Sequence, residues 1–454
     1  MVSSTASEAP RLAVKRSPPS AEPESPSAPP PADEPAAVLA VSCAPLSPRS
    51  TEEVALDTRI VSAKLPPIEG DLEQLVPLYE KLGRIARGSN ERVRIGVYGD
   101  SNMTPDFITG ALRRELQARF GDAGHGFVAA IRPWPWYLHR DVVHGVTKEG
   151  SWKVMATSTS PIRDRLYGFA NMAGESGEPN ARTWVTTSPE DPKSPGGPGT
   201  RASSAQIFFL KRPYGGSFSV LVDGKKTEDV TAGQRATEAG FVRMTFPDGP
   251  HKVEAVVRLG HPVRFFGTVL ERNVPGVVVD SLGTGALNYE QMGRVEESTR
   301  RAMLKERDYD LVVFLLGTNM FAPDMHEKWV KNALVDFHVT LPRTPLLMLS
   351  PPDVGKGPKD WNSDPRIEKM AKQLREIAAK EHALFWDFFM AMGGPGSMKN
   401  FAKNKIALRD FVHLGYKGGT LMGTRFAHEL VRGFSAYVAE HPDTGCAELS
   451  DAGN

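Results

Sequence analysis

The sequence predicts an α/β fold: a doubly wound, parallel, five-stranded sheet, interrupted by an inserted antiparallel β-sandwich of jelly-roll type and preceded by a disordered tail. Three observations predict it. Short apolar runs alternate with helical stretches on both sides of a long central segment, as in a parallel sheet covered on both faces. The central segment is rich in strand patterns joined by Asp-Gly turns and lacks long helical periodicity. Eleven of the 37 prolines fall in the first 50 residues, and no aromatic residue precedes Tyr79.

Taken in order, residues 1–66 read as a Pro-rich tail that buries too little apolar surface to offset its ordering entropy. Its apolar cluster, Ala36 to Val41, lies in acidic, Pro-rich sequence unlike an ordinary signal peptide, and Ser42-Cys43 is only a faint lipoprotein box. Residues 67–140 open the α/β domain. Leu75, Val76, Tyr79 and Leu82 recur at helical spacing with Pro77 in the first turn. Arg92 to Tyr98 is a buried-strand pattern ending in Gly99-Asp100-Ser101-Asn102, and Asp106 to Phe120 reads as an amphipathic helix. Residues 141–270 form the insert, with strands at 206–210, 218–222, 241–246, 252–259 and 263–270 and a loop at 188–202. Residues 271–440 return to α/β texture. Apolar strands at 277–279, 311–316, 345–349 and 384–386 alternate with helices near 288–305, 325–340, 366–381 and 419–439. Residues 441–454 form a C-terminal tail.

Composition narrows the function classes. Lys+Arg total 55 against 54 Asp+Glu, a net charge of +1, which points to neither nucleic acid nor an anionic membrane as the main partner. No apolar run reaches the about 18–20 residues that span a bilayer. The two cysteines, Cys43 and Cys446, make neither a disulfide framework nor a zinc motif. No cluster in the sequence has metal-ligand spacing, so the chemistry expected here uses no metal and no cofactor.

The polar residues of interest stand just beyond strand ends, where ligands of open α/β sheets bind. Ser101 follows the first strand. A strand-to-helix turn exposes its hydroxyl and aims its N–H at a developing oxyanion near a helix N-terminus. Asp410 and His413, three apart in Asp-Phe-Val-His-Leu, present carboxylate and imidazole on one side of a turn, an orienting acid and a base. Asn319 ends the strand at 311–316; its amide suits an oxyanion, although a turn or N-cap role also accounts for such an asparagine. Gly283-Thr284-Gly285 ends another strand and lets backbone N–H approach a substrate, or makes a plain turn. Trp134, Trp136 and Tyr137 either stack on sugar or pack the insert against the core. Trp386 and Asp387 read as structural, Asp387 as a cap; Met390 to Met398 reads as a Gly-rich loop and His125 as a loop residue.

Each signal is weak alone, but together they share one chain order and complementary roles. At this point the sequence resembles the SGNH (GDSL-like) hydrolase superfamily, over about 90–135 and 271–435. The resemblance implies the flavodoxin-like sheet order of that superfamily. It also implies Ser101 as nucleophile and first oxyanion donor, Asn319 as the asparagine donor, His413 as base and Asp410 as its acid. The glycine donor falls on Gly285 or Gly283, because the family pattern has Gly-x-x-Gly where this chain has Gly283-Thr284-Gly285. Closer likeness is to bacterial peptidoglycan O-acetylesterases, through Phe120-Gly-Asp-Ala-Gly-His-Gly-Phe127, Arg132-Pro-Trp-Pro-Trp-Tyr137, Val279-Asp-Ser-Leu-Gly283, Pro351-Pro352-Asp353 and the stretch from Phe385 to Ser397. The insert there is reminiscent of a carbohydrate-binding module. Asn102 departs from several relatives, which carry His after the nucleophile.

The resemblance implies a serine esterase acting through an acyl-enzyme on Ser101. Its substrate would be O-acetyl groups on a cell-wall or other polysaccharide, in the periplasm or cell envelope. Two alternatives stand beside it: an O-acetyltransferase with the same triad, and a non-catalytic glycan-binding protein.

Overall fold

A computed structural model describes residues 45–52, 59–61, 64–190, 196–320, 323–357 and 360–446. Most of the expected tail, Cys43 included, lies outside them, as do the last eight residues. Ordered packing begins upstream of residue 67. Pro48–Thr51 form a helical turn, the Ser435 hydroxyl donates to the Thr51 carbonyl at 3.0 Å, and Val61 is buried. Isolated apolar residues in Pro-rich sequence carry no periodicity, so only the docked structure shows that Leu46 and Leu65 also pack on the core.

The α/β core is a parallel sheet of five strands. In chain order these are Arg92–Gly99, Gly276–Gly283, Leu311–Leu315, Leu346–Leu349 and Leu384–Trp386. Their spatial order is second, first, third, fourth, fifth, and every neighbouring pair is parallel. The strands run in one direction, but their order of addition switches sides at the first strand, so the crevice beyond its carboxyl end is the binding place such sheets favour. Alternation sends Val93, Ile95 and Val97 to one face, against the helices Phe107–Phe120 and Tyr416–Glu440, and Tyr98 to the other. The first of these helices starts at Phe107 rather than Asp106. Asp106 adopts φ 54° in a left-handed turn, and its carboxylate pairs with Arg113 at 3.0 Å.

The insert consists of two antiparallel sheets. One orders Glu238–Gly249, Ala202–Lys211, Val263–Glu271, Met172–Ser176 and Lys153–Ala156; Gly126–Ala129 also pairs with Val263–Glu271. The other orders Val142–Val146, Arg182–Thr187, Lys252–Val257, Ser217–Val222 and Lys225–Thr231. Their facing sides share a core that includes Ile207, Phe209 and Phe265 from one sheet and Val185, Phe218 and Val253 from the other. The outer face of the first sheet, through Phe127, Phe208 and Leu210, belongs to the same apolar cluster as Tyr98 and Phe314 of the α/β core. The insert is therefore packed into the α/β core rather than hung from it. Pairing by Gly126–Ala129 carries insert-type structure upstream of residue 141.

A buried ionic joint marks the return from insert to core. Glu271, the last residue of its strand, accepts from Arg94 at 2.9 Å and Arg307 at 2.8 Å, while Arg307 also donates to Asp280 at 2.8 Å. Burial alone would raise the Glu271 carboxyl, but the two guanidiniums outweigh it and hold it down at about 2.

Candidate active site

Three of the predicted residues meet at the rim of the sheet. His413 Nε2 lies 2.8 Å from Ser101 Oγ, and His413 Nδ1 lies 2.8 Å from Asp410 Oδ2. Ser101 follows the first core strand. A run of turns over residues 101–105, not a helix N-terminus, follows it, fixed by Met103 N–H on the Asp100 carbonyl at 3.0 Å and Thr104 Oγ1 on the Ser101 carbonyl at 2.8 Å. Asp410 Oδ1 takes the N–H groups of Val412 at 2.9 Å and His413 at 3.0 Å, which sets the turn that aims the imidazole. Phe411, between them, has φ 59°. Desolvation pushes the Asp410 carboxyl up, but the His413 side chain and those two N–H groups prevail and keep it below the usual carboxylate range. It is therefore an anion at neutral pH, able to hold the Nδ1 proton.

Asn319 stands beyond the third core strand. Its Nδ2 approaches Asp100 Oδ2 at 3.5 Å, and its carbonyl accepts from Asn288 Nδ2 at 3.3 Å. Asp100 is buried, and burial pushes its carboxyl up against the Asn102 N–H that stabilises its charge. The two glycines differ in place. Gly283 is a strand residue paired with Gly99, and a Cβ there would stand 2.5–2.7 Å from the backbone of Met103 and Thr104. Gly285 lies past the strand end. A Cβ there would meet the Trp134 ring at 2.9–3.2 Å, and its carbonyl accepts from Ser158 Oγ at 2.5 Å. Among the described residues, the N–H groups of Ser101 and Gly285 donate to no backbone acceptor.

The aromatic run divides three ways. Trp136 is 52 % exposed. Trp134 is half-buried over Gly285. Tyr137 is buried, so the expectation that it touches substrate is corrected: its hydroxyl accepts from Ala129 N–H at 3.2 Å and lies 2.9 Å from His139 Nε2. Asp387 is a cap, at the helix Phe388–Met392, where it accepts from Met390 N–H at 3.0 Å. One further reading changes: a second helix, Ser397–Lys403, takes up the end of the expected 390–398 loop.

Sequence reasoning missed several residues. His125 is no simple loop residue. It is buried, with Nε2 3.0 Å from His139 Nδ1, and His144 packs against His139 with ring centroids 5.4 Å apart. Burial pushes all three imidazoles down, His139 to about 4 and the other two well below their ordinary value, so they are neutral. Ligand atoms of Asp106, His125 and His139 lie within 4.8 Å of one another, a closeness that sequence spacing hides. The Asp106 oxygens already accept from Arg113, Thr109 and the Arg140 N–H, so a cation there would face a guanidinium and a carboxylate with no lone pair to spare. Trp361, on the antiparallel pair Gly355–Gly357 and Asp360–Ser363, is 42 % exposed and packs tilted against Phe411 with centroids 4.8 Å apart. An exposed tryptophan next to a polar loop had no signal of its own. Among the described residues no helix is long and apolar enough to cross a membrane.

No protein-family profile matches the chain, and no curated protein matches it. Among solved structures, one described as a peptidoglycan O-acetylesterase in action overlays with a TM-score of 0.66 at 22 % identity, covering 80 % of this chain and 98 % of that one. A family two carbohydrate esterase from Cellvibrio japonicus gives a TM-score of 0.26 at 9 % identity, covering 65 % of this chain and 99 % of that one. A parallel sheet ordered second, first, third, fourth, fifth, with antiparallel sheets built into it and an overlay of that extent, gives this chain an SGNH hydrolase-like fold with an inserted β domain.

Proposed function

We propose that this protein is a serine esterase that removes O-acetyl groups from a polysaccharide, with Ser101, His413 and Asp410 as its triad. The observation that carries the reading is the pair of 2.8 Å contacts running from the Ser101 hydroxyl through His413 to Asp410, with the N–H groups of Ser101 and Gly285 taken by no backbone acceptor among the described residues. In this reading Ser101 Oγ attacks the ester carbonyl as its proton passes to His413 Nε2. The new oxyanion is met by the N–H groups of Ser101 and Gly285 and by Asn319 Nδ2. Gly285 fits this role better than Gly283, being beyond the strand with its N–H uncommitted. His413 then gives its proton to the departing sugar oxygen, leaving an acyl group on Ser101. Water, deprotonated by His413, attacks that acyl-enzyme, releasing acetate and restoring the serine.

The glycan side of the reading draws on the β insert packed beside the site, on the exposed Trp136 and Trp361, and on the peptidoglycan O-acetylesterase whose fold overlays on this one. Purified protein is expected to release acetate from O-acetylated peptidoglycan faster than from acetylated xylan. Ser101→Ala is expected to lose about 10³-fold or more of that rate with an unchanged circular dichroism spectrum. Retained turnover in Ser101→Ala would overturn the nucleophile, and equal inertness of the wild type toward both polymers would overturn the substrate.

A further inference from the structure

The residue after the nucleophile reaches across 310 or more positions of chain to the loop that carries the base. Asn102 is buried. Its Oδ1 accepts the Leu414 N–H at 2.9 Å, and its Nδ2 donates to the Val412 carbonyl at 3.3 Å. Those two backbone groups flank His413 on either side. A carbonyl at one residue and an N–H two residues on, both taken by a single partner, is the pattern by which a strand residue spans its neighbour in a parallel pair. Here the partner is a side-chain amide, which has the acceptor and donor the pattern needs. The remaining backbone groups near His413 are also committed: its N–H to Asp410 Oδ1 at 3.0 Å and its carbonyl to the Leu408 N–H at 2.8 Å. The Asn102 backbone is fixed in turn, its N–H on Asp100 Oδ1 at 3.0 Å.

We infer that Asn102 is a positioning residue that sets the distance between nucleophile and base. The inference rests on the proposed roles of Ser101 and His413. Its physical content is a short path. Between Ser101 and the His413 backbone stand one peptide bond and two hydrogen bonds, so the 2.8 Å contact does not depend on how the distant helices and the insert settle. A displacement of about 1 Å between reacting groups can cost about 10²-fold in rate, which is the size of effect a loosened clamp would have. No atom of Asn102 is needed at the reacting centre, so its contribution falls on turnover and leaves binding of a small ester alone.

The test uses the full chain, p-nitrophenyl acetate as substrate, and a fluorophosphonate to count reactive serines. Asn102→Ala is expected to lower kcat per titrated site by about 10- to 100-fold with KM within about twofold. Asn102→Asp keeps the acceptor for the Leu414 N–H but loses the donor to Val412; it is expected to fall between wild type and Asn102→Ala, and it decides the matter if the alanine variant does not fold. A merely structural role would lower the number of titrated sites and leave kcat per site unchanged. That result, or wild-type kcat per site in both variants, overturns the inference. Turnover surviving in Ser101→Ala would instead overturn the reading beneath it, so the two failures are distinguishable.

Discussion

The molecule holds two groups of histidine whose surroundings differ in each respect that governs proton transfer. At the rim, His413 retains 35 % of its side-chain exposure, with a charged carboxylate on one nitrogen and a hydroxyl on the other. At the junction of core and insert, His125, His139 and His144 are buried, linked to one another and to the neutral phenol of Tyr137. Whichever way protons run along that chain, it ends at His125 Nδ1, which is buried and has no partner among the described residues. A base must gain a proton and pass it on to an atom that substrate or water can reach. The rim histidine meets both conditions. The junction histidines meet neither, because burial holds them neutral. Imidazole alone thus does not make a candidate base; in the proposed reading a charged orienting partner together with access to solvent does.

The sharpest way to break the contrast is to remove the charge and keep the shape. In Asp410→Asn the side-chain oxygen can still take the N–H groups of Val412 and His413, which leaves the amide NH₂ facing His413 Nδ1. That nitrogen must then accept, the proton moves to Nε2, and the Ser101 proton has nowhere to go. The expected loss in kcat is on the order of 10³–10⁴-fold, at unchanged thermal stability within a few degrees. It is measured by p-nitrophenyl acetate hydrolysis alongside a melting curve. A loss under tenfold would mean that the carboxylate is not what separates the rim from the junction.

The complementary prediction sits at the junction. Because the folded-state value of His139 is lowered, to about 4, the unfolded chain takes up protons first as pH falls. The stability tied to it is complete above pH 6.5 and is lost as pH falls toward about 4, a change on the order of 3 kcal/mol. His125 and His144 act in the same direction. His139→Phe strips partners from Tyr137 and His125, costing about 2–4 kcal/mol at neutral pH. The same variant lessens the acid slope above pH 4 without abolishing it, since His125 and His144 still contribute, and leaves kcat per folded molecule within about threefold of wild type. Urea unfolding at a series of pH values reads the first two effects, and turnover per titrated serine reads the third. A wild-type acid slope in the variant, or a large loss of turnover per site, would move the junction histidines into the chemistry.

The same contrast explains how much could be read from sequence. The places of Ser101 and Asn319 beyond strand ends, and the shared turn of Asp410 and His413, were legible because local spacing carries that signal. The insert was legible through Asp-Gly turns and period-two patterns. What stayed hidden depends on docking. Whether Tyr137 faces sugar or packing, and whether His125 is a loop residue or part of a buried chain, is decided by how the insert seats on the core, for which no short window has a signal. Asn102 read as a departure from relatives. Its work appears only when residue 102 meets residues 412 and 414.

The smallest expected effect concerns what lies outside the triad on the rim itself. Trp361 rests on Phe411, the residue after Asp410, and leaves 42 % of its surface open. Two uses are compatible with that geometry, and they separate by substrate size. If the indole serves as a platform for a sugar ring beyond the acetyl group, Trp361→Ala removes a stacking contact of about 0.5–1.5 kcal/mol. KM for O-acetylated polymer then rises about 2- to 10-fold, while p-nitrophenyl acetate, which has no sugar to place there, is hydrolysed as before. If the indole instead props the Asp410 turn through Phe411, kcat for the small ester falls along with that for the polymer, and Trp361→Phe, which preserves the stack, restores both. We expect the first pattern. The turn from Asp410 to His413 already has Asp410 on two N–H groups and Asn102 on two more backbone groups, so one added apolar contact has little left to fix.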